Sequence, residues 1–515
     1  MLSTGTGVTT DIAPRLARNS FYYALKSVVA LASMLLVTPF IVGMVGTELF
    51  GVWALAAVVT SYAQLSDFGM TESVVKYAAE YHALRDTDAL NRLVGTVVVL
   101  YLALAVLVGG LLLLAIPLVV RDLLLIPASL QQEAILIFRL SVAIFFGNMV
   151  MGVFASLVIA TQQMGYATSV NVASTCVGAA GTFFFLWQGM GLRGLVLTNA
   201  IVAVFVAALN LLLACRLCPG LRLRPRWIDR TMVRRVFGYS WKVQTSNLSQ
   251  LLVFQLDRVL LSRYLGLEAV VFYEIGSNIA LYARTFITAL FSPLLPAASV
   301  LHAHNERALL TGLYQRASKF LALIAIPFCL LVIGLAPPFI RLWMGPGYEL
   351  AALTLQLLMP VYLINVLTAP GVFILNGINR PEIPMRAAVC AGAINLLACL
   401  LLVRVAGYFG LIAGIALSLS LSAGYFAGML HRALPDLDRR MYGGIFFKPL
   451  LFSLPAAWGL HHFDAACPIA HVAVLTAAGG IYLVMVGGLL LGSGYLDDFE
   501  RRQLLGLFPW RRADG

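Results

Sequence analysis

Eight charged side chains lie within long apolar stretches of this sequence, where a lipid environment makes charge costly. The cations are Lys26, Arg139, Lys242, Arg258 and Arg284, and the acids are Asp67, Asp257 and Glu274. A charge at the centre of a bilayer costs roughly 2.5–3.5 kcal/mol on insertion scales, so such residues usually face a water-filled cavity or a charged partner. Five cations against three acids leave these stretches with a net positive charge, which suits an anionic ligand such as a diphosphate.

The four cations without an adjacent acid differ in their depth within the apolar stretches. Arg284 lies well inside its stretch and is the leading candidate for contact with a substrate. Lys26 and Lys242 lie one or two turns from the ends of equivalent stretches, where they could either reach lipid headgroups or line the mouth of a cavity. Arg139 is similarly close to the end of its stretch. All four are predicted to line a substrate cavity.

The three acids have two candidate roles. Asp67 and Glu274 are candidates for ion coupling, because a carboxylate that loses water can bind a proton or a sodium ion. Asp67 also precedes Gly69 at the end of its stretch, where ending a helix would explain it equally well. Asp257 and Arg258 are adjacent, and adjacent helical residues do not face each other. A structural role with separate partners is predicted for that pair.

Fourteen apolar stretches are long enough to cross a hydrocarbon core, which takes about 20 helical residues. They cover residues 20–44, 49–68, 93–120, 134–161, 166–187, 191–215, 236–262, 269–295, 316–337, 350–376, 383–403, 408–430, 445–461 and 470–492. Hydrophobic residues form 61% of the chain and charged residues 11%, so no large soluble domain fits between the stretches. The sequence predicts an all-α polytopic membrane protein with about 14 transmembrane helices.

The basic residues are distributed unequally between alternate loops. Arg193, Arg316, Lys319, Arg386 and Lys448 lie at the ends of stretches and are counted with the adjoining segments. With the N-terminus in the cytoplasm, 25 of the 35 Lys and Arg residues then fall on inner segments and 5 on outer loops. This positive-inside pattern predicts that both termini are cytoplasmic. It also explains most of the formal charge of +12, so the charge indicates contact with anionic membrane lipids and not with nucleic acid.

The seven cysteines predict neither a disulfide framework nor a metal centre. Their number is odd and the loops are short. Cys215 and Cys218 form a single C-x-x-C pair without a second pair or nearby histidines, as a zinc site would need. No cofactor is predicted beyond a coupling proton or sodium ion.

The two halves of the chain resemble each other. A shift of 220 residues places Gly46, Glu48 and Tyr62 on Gly266, Glu268 and Tyr282, and a shift of 216 places Gly191 and Gly194 on Gly407 and Gly410. Six stretches separate the copies, so both halves enter the membrane in the same orientation, as in transporters with parallel repeats. The predicted domains are a six-helix lobe over 1–215, a basic cytoplasmic linker over 216–235, a second six-helix lobe over 236–432, two additional helices over 433–495 and an amphipathic cytoplasmic tail over 496–515.

Several segments resemble the lipid-linked oligosaccharide flippases of bacterial polysaccharide synthesis, which belong to the multidrug and oligosaccharidyl-lipid exporter superfamily. The resemblance lies in TPFIVGMVGTELFGVWALAAVVTSYAQLSDFGMTESVVKYAAEY, in FQLDRVLLSRYLGLEAVVFYEIGSNIA and in the GLRGL and GYFGL hairpins. It implies a V-shaped fold of two bundles around a cationic cavity. It also implies transfer of an undecaprenyl-pyrophosphate-linked oligosaccharide to the outer leaflet of the bacterial inner membrane, with a polysaccharide polymerase and chain-length or export proteins as partners.

Three functions are compatible with a membrane protein of this kind. A flippase predicts a cationic cavity, whereas a multidrug exporter of the same superfamily predicts that acids dominate. The excess of cations over acids in the apolar stretches favours the flippase, and the exporter is the alternative. A polymerase or ligase would need a large external loop with clustered Arg and His, and here the outer loops are short and His461, His462 and His471 lack a nearby nucleophile. The predicted mechanism is alternating access.

Overall fold

The computed structural model describes residues 26, 28–161, 163–222, 229–304, 306–438 and 440–497. All regular elements in these ranges are helices, and no strand occurs within them. Twelve helical segments of the described chain are long and apolar enough to cross a membrane. The prediction of an all-α, multi-pass membrane protein is therefore confirmed.

Eighteen α-helices follow one another in the described residues. They are α1 (Val28–Val45), α2 (Thr47–Ala63), α3 (Met70–Ala83), α4 (Thr87–Leu104), α5 (Gly110–Leu118), α6 (Gln131–Ala160), α7 (Met164–Trp187), α8 (Gly191–Leu217), α9 (Arg230–Phe254), α10 (Leu256–Leu265), α11 (Leu267–Ala289), α12 (Leu294–Ala303), α13 (Arg307–Met344), α14 (Glu349–Leu367), α15 (Ala369–Gly377), α16 (Glu382–Ala433), α17 (Met441–Ala466) and α18 (Val472–Gly492). Wider turns join α4 to α5, so that 87–123 forms one continuous helical segment.

Two differences separate the twelve helical segments from the fourteen predicted spans. The predicted spans 383–403 and 408–430 both lie in α16, which is interrupted at Ala406 and Gly407, where φ is −124° and +55°. The predicted span 236–262 covers parts of α9 and α10, which are separated at Gln255 and are not among the twelve. The number fourteen stays a prediction.

Contacts between Cα atoms divide the chain into two compact units. The first unit contains the residues up to Glu274 together with Met385–Ser418, and in it α6 packs against α2, α3 and α8. The second unit contains Ile275–Pro384 and the residues from Leu419 onward, and in it α13 packs against α14, α17 and α18. The lobe and linker boundaries derived from the sequence stay predictions.

The glycines that the two sequence shifts align have matching backbone conformations. Gly46 and Gly266 have φ of 84° and 87°, and each directly precedes a helix. Gly191 and Gly407 both have φ of 55°. These φ values are accessible to glycine at little cost and are strained for other residues. The repeat and its six-plus-six arrangement stay predictions.

The last two helices pack on α13 in the second unit. The Tyr482 hydroxyl on α18 donates to the Pro327 carbonyl at 3.1 Å. Arg341 Nη2 on α13 donates to the Asp464 carboxylate of α17 at 2.7 Å. Asp464 also accepts the backbone N–H of Ile469 at 2.9 Å, so one carboxylate holds both the helix and the loop that follows it.

A proline in α13 creates a need for a side-chain hydrogen bond. Pro337 has no N–H, so it cannot donate to the carbonyl of Ile333 four residues earlier. Gln356 on α14 supplies the missing donor, with its Nε2 at 3.0 Å from that carbonyl oxygen. In a bilayer, freed backbone groups must be satisfied in this way by neighbouring helices.

We expect Gln356→Leu to destabilise the protein by about 1–3 kcal/mol, because the substitution leaves the Ile333 carbonyl without a donor. The measurement is thermal unfolding of the purified protein in detergent micelles. Gln250→Leu is the matched control, because Gln250 is exposed on α9. Equal shifts of the unfolding midpoint for both variants would contradict the assigned role of Gln356.

Candidate functional site

Four residues in the first unit form a charged cluster, which we define as Asp257, Arg258, Tyr273 and Glu274. Arg258 Nε on α10 donates to the Glu274 carboxylate on α11, and the Tyr273 hydroxyl donates to the Asp257 carboxylate. Asp257 and Arg258 are 3% and 5% exposed. The guanidinium carbon lies 5.6 Å from the centre of the Tyr273 ring. The two adjacent charges thus have partners of their own on the next helix.

An interruption between two helices at Gln255 positions this cluster. Gln255 has φ −130° and ψ −20°, so α9 ends at Phe254 and α10 begins directly afterwards. Arg258 Nη1 donates to the Phe254 carbonyl at 2.6 Å. A cation at a helix C-terminus also interacts favourably with the helix dipole. Arg258 therefore joins two helix ends to α11.

The charge balance of the cluster is negative, with one cation and two acids. Arg258 Nη1 lies 3.9 Å from Asp257 Oδ1 in addition to its contact with Glu274. The Glu274 side chain is 15% exposed and is the more accessible of the two acids. Coupling of Glu274 to a proton or a sodium ion stays a prediction.

Arg284 lies on α11 in the second unit and has a partner of a different kind. Its Nε donates to the side-chain oxygen of Asn365 on α14 at 2.8 Å. Both residues are half-buried. The amide is neutral, so this hydrogen bond orients the guanidinium without cancelling its positive charge.

Asp67 ends a short 3₁₀ turn that follows α2, and its carboxylate accepts three donors. The Thr71 hydroxyl donates to it at 2.8 Å, the Thr71 backbone N–H at 3.3 Å, and the Tyr101 hydroxyl is the third donor. A carboxylate that accepts a backbone N–H of the first helical turn acts as an N-terminal cap of that helix. Asp67 thereby fixes the start of α3 and ties it to α4.

The remaining sequence-predicted residues are not joined to these contacts. Lys26 and Arg139 are exposed, and no hydrogen bond or ion pair within the described ranges links either one to another predicted site residue. The Lys242 side chain lies outside the described residues.

The sequence analysis missed the uncharged partners that orient these charges. Tyr273, Tyr101 and Asn365 were not among the residues selected from the sequence. The available signal was a hydroxyl or amide side chain inside an apolar stretch, where a polar group needs a hydrogen-bond partner.

The contacts of the two acids lead to opposite expectations for ion coupling. We expect Glu274→Gln to reduce the dependence of transport on a proton or sodium gradient, because an amide cannot exchange Arg258 for a cation. Asp67→Asn is the matched variant, and we expect it to lower the thermal unfolding midpoint and to keep the gradient dependence. The measurement is uptake into proteoliposomes with and without imposed gradients. Loss of gradient dependence in Asp67→Asn alone would reverse the assignment.

Several known proteins share the sequence pattern or the fold of this chain. "Uncharacterized membrane protein EpsK" of Bacillus subtilis (strain 168) is 21% identical over 439 residues, which cover 82% of this chain and 83% of that protein. "Putative O-antigen transporter" of Shigella flexneri is 21% identical over 339 residues, which cover 64% of this chain and 76% of that protein.

Among solved structures, the lipid II flippase MurJ in an inward closed conformation has a TM-score of 0.66 and 12% identity, with 91% of this chain and 99% of that chain covered. An inward-facing multidrug resistance MATE family transporter of the MOP superfamily has a TM-score of 0.68 and 14% identity, with 79% and 98% covered. At these identities the likeness shows a common fold.

Two family models match the chain, and they agree with the resemblance found in the sequence. The MatE model matches residues 244–401. The model described as "Polysaccharide biosynthesis protein" matches residues 16–302, which is more than half of the chain. The chain therefore belongs to the polysaccharide biosynthesis protein family of membrane proteins.

Proposed function

We propose that this protein is a flippase that moves an undecaprenyl-pyrophosphate-linked oligosaccharide from the cytoplasmic to the outer leaflet of a bacterial inner membrane. The family membership, the name of the Shigella flexneri relative and the fold shared with a lipid II flippase support this proposal. Relatives and fold neighbours with a named activity are transporters or flippases, which supports a transporter over an enzyme.

The observation that carries the proposal is the contact between Arg284 and Asn365. A guanidinium within a membrane helix is held at 2.8 Å by a neutral amide and keeps its positive charge. Its planar fork can bind two phosphate oxygens at once, which a point charge cannot do. In the proposed transport cycle, Arg284 binds the diphosphate. The charge-assisted hydrogen bonds replace the water that the headgroup loses.

The proposed mechanism is alternating access between the two membrane leaflets. The diphosphate and the sugars enter from the cytoplasmic side while the polyprenyl tail stays in the bilayer, and a change of conformation then releases the headgroup outside. The ligand drives this change only through a difference in its affinity for the two conformations. No covalent step is required. Both termini are proposed to be cytoplasmic, on the basis of the distribution of basic residues.

The alternative is an ion-coupled exporter of cationic drugs, which the MatE match and the fold of the MATE transporter also fit. Such an exporter needs acids that are available to a cationic substrate. In the charged cluster, Asp257 and Glu274 already contact Tyr273 and Arg258. This pairing favours the flippase.

The deciding experiment measures translocation in proteoliposomes that contain the purified protein. The substrates are a fluorescent undecaprenyl-diphosphate oligosaccharide and a fluorescent cationic dye, with protein-free liposomes as the background. Movement of the lipid-linked glycan above background without movement of the dye supports the flippase. Movement of the dye alone would overturn the proposal in favour of the exporter.

A further inference from the structure

A half-open cavity of about 410 Å³ lies between α2, α6 and α8 in the first unit. Its lining contains no charged residue, and none of the charged cluster contributes to it. The polar and aromatic residues of the lining are Trp53, Thr60, Ser141, Phe145, Asn148, Asn199 and Asn210. We call this space the amide cavity, after its three asparagines. Its volume lies within the range of roughly 300–1,000 Å³ that is typical of small-ligand pockets.

The spacing of these residues aligns them on one face of each helix. Trp53 and Thr60 are seven residues apart on α2, as are Ser141 and Asn148 on α6. Seven residues are close to two helical turns, so each pair points in nearly the same direction. Three separate membrane helices thus turn polar faces toward the same space. If these uncharged polar side chains faced lipid instead, they would lack hydrogen-bond partners, which costs free energy.

The three asparagines leave their amides available inside the cavity. Thr60 donates to carbonyls of its own helix at 2.8 and 3.2 Å. Within the described part of the chain, neither Asn148, Asn199 nor Asn210 makes a hydrogen bond to another residue, although Asn210 is only 6% exposed. Each amide has two donors and one acceptor oxygen. Asn148 and Asn199 are exposed at the edge of this space, so their amides are accessible to a polar occupant.

We propose that the amide cavity binds an uncharged sugar unit of the lipid-linked glycan. This inference rests on the proposed flippase function and specifies the chemistry of its substrate. Sugar hydroxyls both donate and accept, which matches the paired donor and acceptor groups of the amides. Trp53 offers a flat apolar surface for the C–H face of a pyranose ring. A sugar carboxylate would enter without any cation in the lining to replace its water.

The two other candidate occupants fit the lining less well. A cationic drug would find no acid there. The lipid diphosphate would find no Arg or Lys. The amide cavity is therefore assigned to the neutral part of the substrate.

The test is binding of free disaccharides to the purified full-length protein in detergent micelles, measured by isothermal titration calorimetry. The probes are lactose, maltose and diacetylchitobiose, with a glucuronate-containing disaccharide of equal size as the charged comparison. The variants are Asn148→Leu and Asn199→Leu, which remove the amide at nearly constant volume. The matched control is Asn171→Leu, because Asn171 lies on α7 outside the lining and bonds the Ala167 carbonyl.

We expect at least one neutral disaccharide to bind, and we expect each cavity variant to weaken it roughly tenfold, the effect of losing one hydrogen bond of ordinary strength. The control is expected to bind as the native protein does, and thermal unfolding midpoints verify that all variants are folded. The proposal is overturned if no neutral disaccharide binds, if the glucuronate probe binds more tightly, or if Asn171→Leu weakens binding as much as the cavity variants.

The transport assay separates this inference from the proposed function. If the native protein moves a lipid-linked glycan while both cavity variants bind disaccharides normally, the flippase function stands and the sugar site is wrong. If disaccharide binding depends on Asn148 and Asn199 but no lipid-linked glycan is moved, the sugar site stands and the flippase function is wrong.

Discussion

Arg284→Met is expected to reduce translocation of a lipid-linked oligosaccharide by about ten- to a hundredfold. Hydrogen bonds to a charged group contribute about 1.5–3 kcal/mol, and this free energy would be lost from the bound headgroup. Methionine fills a similar space in the helix and removes the guanidinium that Asn365 orients. The measurement is the initial rate of translocation in proteoliposomes with equal amounts of inserted protein.

Two further variants test whether the effect of Arg284→Met is specific to this guanidinium. Arg284→Lys retains the charge without the planar fork, so we expect it to recover only part of the rate. Arg193→Met removes an exposed arginine at the start of α8 and should leave the rate unchanged. A native rate in Arg284→Met, with the unfolding midpoint preserved, would give Arg284 a structural role and remove the main support for the proposed path of the diphosphate.

Arg258→Met is expected to produce the largest loss of stability in the chain, about 3–5 kcal/mol. Removing one member of a buried ion pair leaves the other charges without compensation. Here the substitution leaves Asp257 at 3% exposure and Glu274 at 15% side-chain exposure with their nearest cation gone. It also frees the Phe254 carbonyl at the end of α9. The measurement is thermal and chemical unfolding in detergent micelles.

A double-mutant cycle isolates the contact between Arg258 and Glu274. Glu274→Gln removes one of the two negative charges, so Arg258→Met combined with Glu274→Gln should be more stable than Arg258→Met alone. Arg216→Met, at the exposed end of α8, serves as the control for loss of an arginine. If Arg258→Met and Arg216→Met unfolded at the same temperature, the charged cluster would not be a stabilising element.

The two arginines of α10 and α11 show why a charge count is an incomplete guide to a binding path. By the sequence, Arg258 and Arg284 are both cations inside apolar stretches. In the structure Arg258 is enclosed by two acids, whereas Arg284 contacts an amide. The first arrangement pairs the cation with acids, whereas the second bonds it to a neutral group. The two arginines are therefore distinguished by the chemical identity of these partners.

Residue types and their spacing were enough to predict the all-α class of fold, a multi-pass membrane protein and the family. Apolar length and composition suffice for this, because in a bilayer every backbone polar group must be satisfied inside its own helix or by a neighbour. The sequence also singled out Gly46 and Gly266, which a shift of 220 residues aligns. The two glycines have nearly the same φ.

Which side chains meet depends on how the helices pack against one another. Asn365 lies 81 residues after Arg284, and Tyr101 lies 34 residues after Asp67, so no helical periodicity connects them. The amide cavity requires three helices that are far apart in the sequence to pack with their polar faces inward. Hydrophobic length fixes that a helix lies in the membrane, but its rotation and neighbours are set by packing against other helices. For this reason the charges could be found from the sequence, whereas their partners and the cavity could not.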